Sequence, residues 1–175
     1  MNYSLSRHKT LRMTLAAMFT AMNVILSMSV FSVPVPGGHL YFCDTVINTA
    51  AILMDPFSAF LIGGVGSFLG DFFFYPAPMF VSLVTHGLQA LVVSLISHRV
   101  AQKRPALASG IGVTVGSVIM VIGYTLGRAY VYSTPEYAVI KLPFEILQAG
   151  FGAAFAMFLC YPLRLRKLFT QIAGQ

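Results

Sequence analysis

Long apolar runs broken by proline, glycine and short basic clusters dominate the chain, and the lengths of those runs predict its elements. A helix that crosses a bilayer needs about 20 mainly apolar residues. Residues 11–31 meet that requirement and form the first expected span. The stretch Val33-Pro34-Val35-Pro36-Gly37-Gly38 cannot continue a helix, since it holds two prolines and two glycines. A shorter apolar run, 41–54, ends at Asp55-Pro56, where the aspartate is expected to cap a new helix that the proline opens. The third run, 57–74, closes at Tyr75-Pro76-Ala77-Pro78, and the fourth, 79–97, ends in the basic stretch 99–104. A glycine-rich fifth run covers 105–130. After a polar loop at 133–136, a sixth covers 140–161 and stops at Pro162. The pattern predicts an all-α integral membrane protein, a compact bundle of six transmembrane helices forming one domain over residues 1–175.

Composition supports the same class. The chain is 57% hydrophobic and 9% charged, with a mean hydropathy of +0.80. A soluble domain carries roughly a quarter charged residues, so this chain could not cover a water-facing surface and must be covered largely by lipid. The net charge of +6 does not point to nucleic acid, because the basic residues stand in small groups between apolar runs. Arg7, Lys9, Arg12, Arg99, Lys103, Arg104, Arg164, Arg166 and Lys167 are nine of the eleven Lys and Arg residues. With six spans they all fall on one face. Positive charge marks the cytoplasmic side, so both termini are expected there. The first apolar run is longer than the core of a cleavable signal peptide and no clean small-x-small site follows it, so it reads as a span. Cys43 and Cys160 fall near opposite faces and are expected to be packed thiols rather than a disulfide.

Small residues at helical spacing predict close helix contacts: Ala17 and Ala21 in the first span, Gly63, Gly66 and Gly70 in the third, Gly112 and Gly116 in the fifth, and Gly150 in the sixth. Most read as packing within the bundle, although the alanine pair could instead face a partner protein.

Ionisable groups inside a membrane are costly and are functional candidates by default. Here they gather at one end. His39, Tyr41 and Asp44 follow the proline-glycine loop. Asp71 lies near the end of the third run, and His86 and Gln89 lie in the adjoining half of the fourth. Tyr124 and Arg128 close the fifth, and Lys141, Glu145 and Gln148 open the sixth. A channel or proton relay would need polar groups through the whole depth. A polar and aromatic cup open to one side suits capture of a small polar molecule, with Tyr41, Phe72, Tyr75 and Tyr124 available to stack on a flat ring. Other readings stand beside this one. Lys141 and Glu136 read as solvated loop charges, and Arg128 could serve as a structural ion pair with Glu145 or Asp71. No Gly-x-Ser-x-Gly elbow, His-Glu-x-x-His pair or phosphate loop is present, so no enzymatic activity, metal or cofactor is expected of this chain.

The order of features resembles the S components of energy-coupling factor (ECF) vitamin transporters, in particular the hydroxymethylpyrimidine and vitamin B6 branch related to the riboflavin-type S components. The residues that carry the resemblance are Ala17 and Ala21, then Pro36-Gly37-Gly38-His39-Leu40-Tyr41-Phe42-Cys43-Asp44. Gly63-Gly64-Val65-Gly66-Ser67-Phe68-Leu69-Gly70-Asp71, Gly123-Tyr124 and Pro143-Phe144-Glu145-Ile146-Leu147-Gln148 complete it. The resemblance implies a multi-pass subunit of the bacterial plasma membrane that captures a water-soluble vitamin. It implies a transmembrane T component contacted by the alanine pair, two cytoplasmic ATPase subunits that use ATP, and a substrate pocket capped by the loop after the first helix. Nickel and cobalt relatives begin with a metal-binding Met-His, whereas this chain begins Met1-Asn2-Tyr3, so the expected substrate is not a metal. Two rival readings are a self-sufficient small transporter or channel, and an intramembrane enzyme using His86 with Asp71.

Overall fold

A computed structural model describes residues 3–28, 31–101 and 103–173. Helix α1 (Tyr3–Leu26) leads into a hairpin of β1 (Val33–Val35) and β2 (Gly38–Leu40). Then come α2 (Cys43–Leu53), α3 (Pro56–Phe74), α4 (Met79–Arg99), α5 (Pro105–Tyr132), α6 (Pro135–Cys160) and α7 (Leu165–Ala173). Three of these helices open on a proline, whose missing N–H would lack a partner in the first turn anyway. Asp55 caps α3 as expected, its carboxylate accepting from the Ser58 N–H at 3.2 Å while also binding Arg12 of α1. Burial opposes the charge on Asp55, but the hydrogen bonds from Ser58 and the Arg12 guanidinium outweigh it and hold the carboxyl below its ordinary range.

Four helices, α3 to α6, are long and apolar enough to cross a membrane, while the apolar part of α1 (Thr10–Leu26) and α2 are shorter. Eleven residues of α2 rise only about 16 Å, roughly half of a 30 Å hydrocarbon core. All eleven are buried. This short helix is the hub of the bundle, packed against α1, α4 and α6, with α5 closing the ring between α4 and α6. The apolar core fills the end near Asp55, where Ile47, Ile52, Ile62, Ala90, Val93 and Ala156 are almost fully enclosed. Phe57, Phe73, Phe80, Val118, Ile122 and Leu147 point outward, as a lipid-covered surface requires.

Several boundaries differ from the sequence reading. The first helix ends at Leu26 rather than at 31: the Ser27 N–H makes the last helical bond, to the Asn23 carbonyl at 3.0 Å, and the Met28 N–H already turns to the Ile25 carbonyl at 3.2 Å in a tighter turn; residues 29 and 30 of the expected span lie outside the described residues. The proline-glycine stretch is an antiparallel hairpin that pairs Val33 with Leu40, Pro34 with His39 and Val35 with Gly38, so the molecule is not purely helical. Gly37 and Gly38 turn it with φ of +81° and +147°, values that side-chain-bearing residues rarely adopt. The second half of the polar loop at 133–136, Pro135 and Glu136, belongs to the first turn of α6, which starts five residues earlier than expected and passes through Pro143. Beyond Pro162, the amphipathic α7 was not anticipated; its Phe169 inserts into the core.

Two π turns interrupt the longer helices, at Leu61–Val65 in α3 and Arg128–Tyr132 at the end of α5. The extra residue in such a turn shifts carbonyls out of the regular ladder. In α3 the Asn23 amide of α1 answers this, donating to the Ile62 carbonyl at 2.8 Å and lying 3.2 Å from the Ser67 hydroxyl. Of the small residues expected to pack, Gly150 meets nothing. Its neighbour Gly152 carries the contact of α6 with α2: a Cβ there would lie 2.5 Å from the Asp44 Cβ. Gly152→Val is therefore expected to destabilise the purified protein by about 1–3 kcal/mol, the usual cost of overpacking. Thermal unfolding in detergent measures it, and an unchanged transition would remove the close approach as a constraint.

Candidate functional site

A cavity of about 340 Å³ lies at the hairpin end of the bundle, opposite the apolar core. That is near the lower bound of the roughly 300–1,000 Å³ usual for small-molecule sites. Its wall includes Asp71 and Tyr75 at the end of α3, His86 on α4, Tyr124, Arg128 and Tyr132 on α5, and Lys141, Glu145 and Gln148 on α6. The hairpin supplies Gly37, Gly38 and His39, followed by Tyr41.

The wall is built outward from one buried carboxylate. Asp44, in the first turn of α2, has no exposed surface. Its Oδ1 accepts from Gln89 Nε2 at 3.0 Å and its Oδ2 from Gln148 Nε2 at 2.7 Å. With its Nε2 turned to Asp44, Gln89 points Oε1 at His86 Nδ1, 2.7 Å away. That partner is an acceptor, so in this arrangement His86 carries its proton on Nδ1, and Nε2 is its acceptor nitrogen. Gln148 in turn accepts from the Tyr41 N–H through Oε1 at 3.0 Å. The backbone of α3 fixes the His86 turn from behind, since a Cβ at Gly63 would lie 2.6 Å from the His86 carbonyl oxygen.

A second chain of hydrogen bonds crosses the wall from α5 to α3: the Tyr124 hydroxyl donates to Ser82 at 2.6 Å, and Ser82 donates to Asp71. The Tyr124 ring also lies 5.1 Å from the His86 ring. At the mouth, Arg128 pairs with Glu145 at 2.9 Å, and the second Glu145 oxygen accepts from Thr125 at 3.2 Å. Arg128 also donates to the Gly37 carbonyl at 2.9 Å, while Lys141 donates to the His39 carbonyl at 2.5 Å. Together with Gln148, these side chains hold the hairpin over the cavity. Tyr41 follows the hairpin into the same cavity wall. Burial, with Asp71 adding to it, pushes its phenol up to about 12, so it stays a neutral hydrogen-bonding ring at physiological pH.

Eight of the ten candidate ligand residues line the cavity: His39, Tyr41, Asp71, His86, Tyr124, Arg128, Glu145 and Gln148. Asp44 and Gln89 sit behind the wall and orient those that do. Phe72, expected among the stacking rings, is half exposed on the outer surface beside Phe68 and Phe73. Lys141 requires the larger correction. It is no loop charge but a residue 2% exposed inside α6, with its side chain in the cavity wall. Because α6 begins at Pro135, Lys141 and Glu145 are one turn apart on the same inward face. The chain-order signal was there in the i, i+4 spacing, but the assumed loop hid it. Ser27, Ser67 and Tyr132 also line the site; Ser67 falls in the glycine-rich Gly63–Asp71 segment, and no motif marks the other two.

Cys43, Asp44 and His86 bring one ligand-type atom each within 4.8 Å of one another. Each Asp44 oxygen, however, is already held by a glutamine amide. Cys43 and Cys160 are both free and buried. Ala17 and Ala21 stand exposed on the outer face of α1, beside Met13, Met18 and Met22.

Comparison with known proteins adds two findings. A family model described as ECF-type riboflavin transporter, S component, matches residues 7–165. A Pyrococcus woesei protein carrying the description "Uncharacterized protein in gap 3'region" is 32% identical over 145 residues, which is 82% of this chain and 95% of that protein.

The clamp on Asp44 gives a direct test of the wall. Asp44→Ala strands two buried glutamine amides, and each lost partner costs about 1–3 kcal/mol. The variant is expected to unfold at clearly lower temperature in detergent, while Asp71→Ala, whose carboxylate is only partly buried, should cost less. Equal stability of the Asp44→Ala protein and the unsubstituted one would show that the network carries no weight.

Proposed function

Since the chain belongs to the ECF-type riboflavin transporter S-component family, a family of vitamin-type substrate-binding transporter subunits and not of enzymes, we propose that it captures a small, flat, water-soluble vitamin or vitamin precursor from outside the cell. The observation that carries this reading is the cavity itself: a ring-lined, largely apolar space edged by a few polar side chains, at one end of a membrane bundle whose other end is filled mainly with apolar side chains. A ring entering it would meet Tyr41, Tyr75, Tyr124 and Tyr132 for stacking, with His86 and Asp71 offering hydrogen bonds to its edge. The substrate class we favour is a hydroxymethylpyrimidine or vitamin B6 compound. Riboflavin is the alternative, favoured by the description of the family model.

In this reading all six apolar helices are embedded in a plasma membrane with both termini cytoplasmic, and the hairpin faces outward as a cap. The small face of α1 at Ala17 and Ala21 meets a transmembrane T component, and two ATPase subunits bound to that component use ATP to drive uptake. Exposure of both alanines on α1 supports that placement.

Two experiments test the reading. Mass spectrometry of small molecules that co-purify with the subunit identifies the substrate, and calorimetry then gives its affinity. His86→Ala removes the wall's imidazole and is expected to weaken binding about five- to hundred-fold, the equivalent of 1–3 kcal/mol for one buried hydrogen bond. Unchanged affinity would take α4 out of the site. For orientation, a cysteine introduced at Ser133 or Thr134 should react with an impermeant maleimide on intact cells, because both native cysteines are buried. Reaction only after lysis would invert the topology.

A further inference from the structure

The charges in the cavity wall are not all paired. Glu145 has both oxygens occupied, one by Arg128 and one by Thr125. Among the described residues, ion pairs within 4 Å join Arg12 to Asp55, His86 to Asp44 and Arg128 to Glu145. Neither Lys141 nor Asp71 is in any of them. Lys141 is 2% exposed, and its ammonium has a backbone carbonyl, that of His39, as its described hydrogen-bond partner. Asp71, on the opposite wall, accepts from the Ser82 hydroxyl. Beside Lys141, the Arg128 Nε is buried with no partner at all. A buried ammonium is costly unless an opposite charge answers it. The hairpin glycines press close around this lysine: a Cβ at Gly37 would lie 3.1 Å from the Lys141 Cβ. The site is thus built to keep a cation enclosed at the hairpin and α6 side, with a carboxylate across the cavity on α3.

We propose that the substrate is a dipolar ring compound, carrying an acidic group that binds Lys141 and a protonated or N–H-bearing ring nitrogen that binds Asp71. This rests on the capture function proposed above and narrows its substrate class. Carboxylate and phosphate both supply the acidic group, and both form charge-assisted hydrogen bonds with an ammonium. The enclosed geometry, away from screening water, makes that contact discriminating. A neutral amide or alcohol in the same place leaves the ammonium without its counter-charge.

Matched pairs of probes test this on the purified full-length subunit by calorimetry: orotate against orotamide, both with ring N–H groups, for a carboxylate, and pyridoxine 5′-phosphate against pyridoxine for a phosphate. In at least one pair the acidic member is expected to bind about ten- to hundred-fold more tightly, and the pair that shows it identifies the acidic group. Lys141→Gln keeps a donor for the His39 carbonyl but removes the charge, so it should abolish the preference, weakening the acidic member about ten- to hundred-fold more than the neutral one. Lys141→Arg should keep the preference. Asp71→Asn should weaken both members of the preferred pair alike. If Lys141 serves only to latch the hairpin, Lys141→Gln will weaken both members equally, and that result overturns the proposal. Neutral members that bind as tightly as acidic ones overturn it too, while leaving vitamin capture intact. Failure of all four probes to bind, with no small molecule co-purifying, overturns both the proposal and the capture function.

Discussion

A carboxylate with no exposed surface, set in the middle of an apolar bundle, is the constraint from which the rest of the site follows. Asp44 sits in the first turn of α2, where the positive end of the helix dipole favours a negative charge. That alone does not offset the loss of water, so its two oxygens need donors. Gln89 comes from α4 and Gln148 from α6, and one residue thereby sets the spacing of three helices. Neither glutamine ends there. Gln89 fixes the ring of His86, and Gln148 holds the backbone where the hairpin enters α2. The wall of the cavity and the seat of its cap are thus two branches of a single hydrogen-bond network. Close approach of α6 to α2 is equally required, and the missing side chain at Gly152 permits it.

The hairpin is held by side chains rather than by its own short ladder. Two three-residue strands would be marginal alone, yet Arg128 takes the carbonyl of Gly37 and Lys141 takes that of His39. Both cations also face the cavity. Anything bound there that competes for their N–H groups changes how firmly the cap is held, and a cap held more firmly retains its ligand longer. Binding and closure share the same donors. That is an economical arrangement for a protein that must hold a dilute solute in a small volume.

Much of this was legible in the sequence, for reasons that also explain the failures. Apolar run length identified the helices because lipid leaves few other options for a backbone that must satisfy itself. The clustering of polar residues pointed to the end of the bundle that holds the cavity, because each one is expensive in that setting. The division between Asp44 and Gln89 behind the wall and His86 and Gln148 on it could not be read from order alone. It depends on which way neighbouring helices face. Lys141 was misplaced for a definite reason: Ser133, Thr134, Pro135 and Glu136 look like a loop, but a proline at the first helical position starts α6 rather than ending a turn. The π turn at Arg128–Tyr132, which ends α5 at the cavity mouth, has no sequence signature.

The unequal filling of the two ends bears on how such a subunit works. Beyond Asp44, α2 packs Ile47 and Ile52 tightly against Ile62, Val93 and Ala156, with the buried Asn48, Thr49 and Ser94 among them. A solute in the cavity of this conformation leaves by the mouth through which it came. Delivery to the other face then requires the helices, or the subunit as a whole, to be moved. The energy for that must come from a partner, since a protein that binds its ligand tightly gains nothing from releasing it on the side where it is more concentrated. A shift from almost wholly closed to almost wholly open takes about 5.5 kcal/mol of differential binding, more than one or two side-chain contacts at this cap supply. In the reading proposed above, the tightly packed half of the bundle ties capture by this chain to work done by ATPases elsewhere, received through the exposed face of α1 at Ala17 and Ala21.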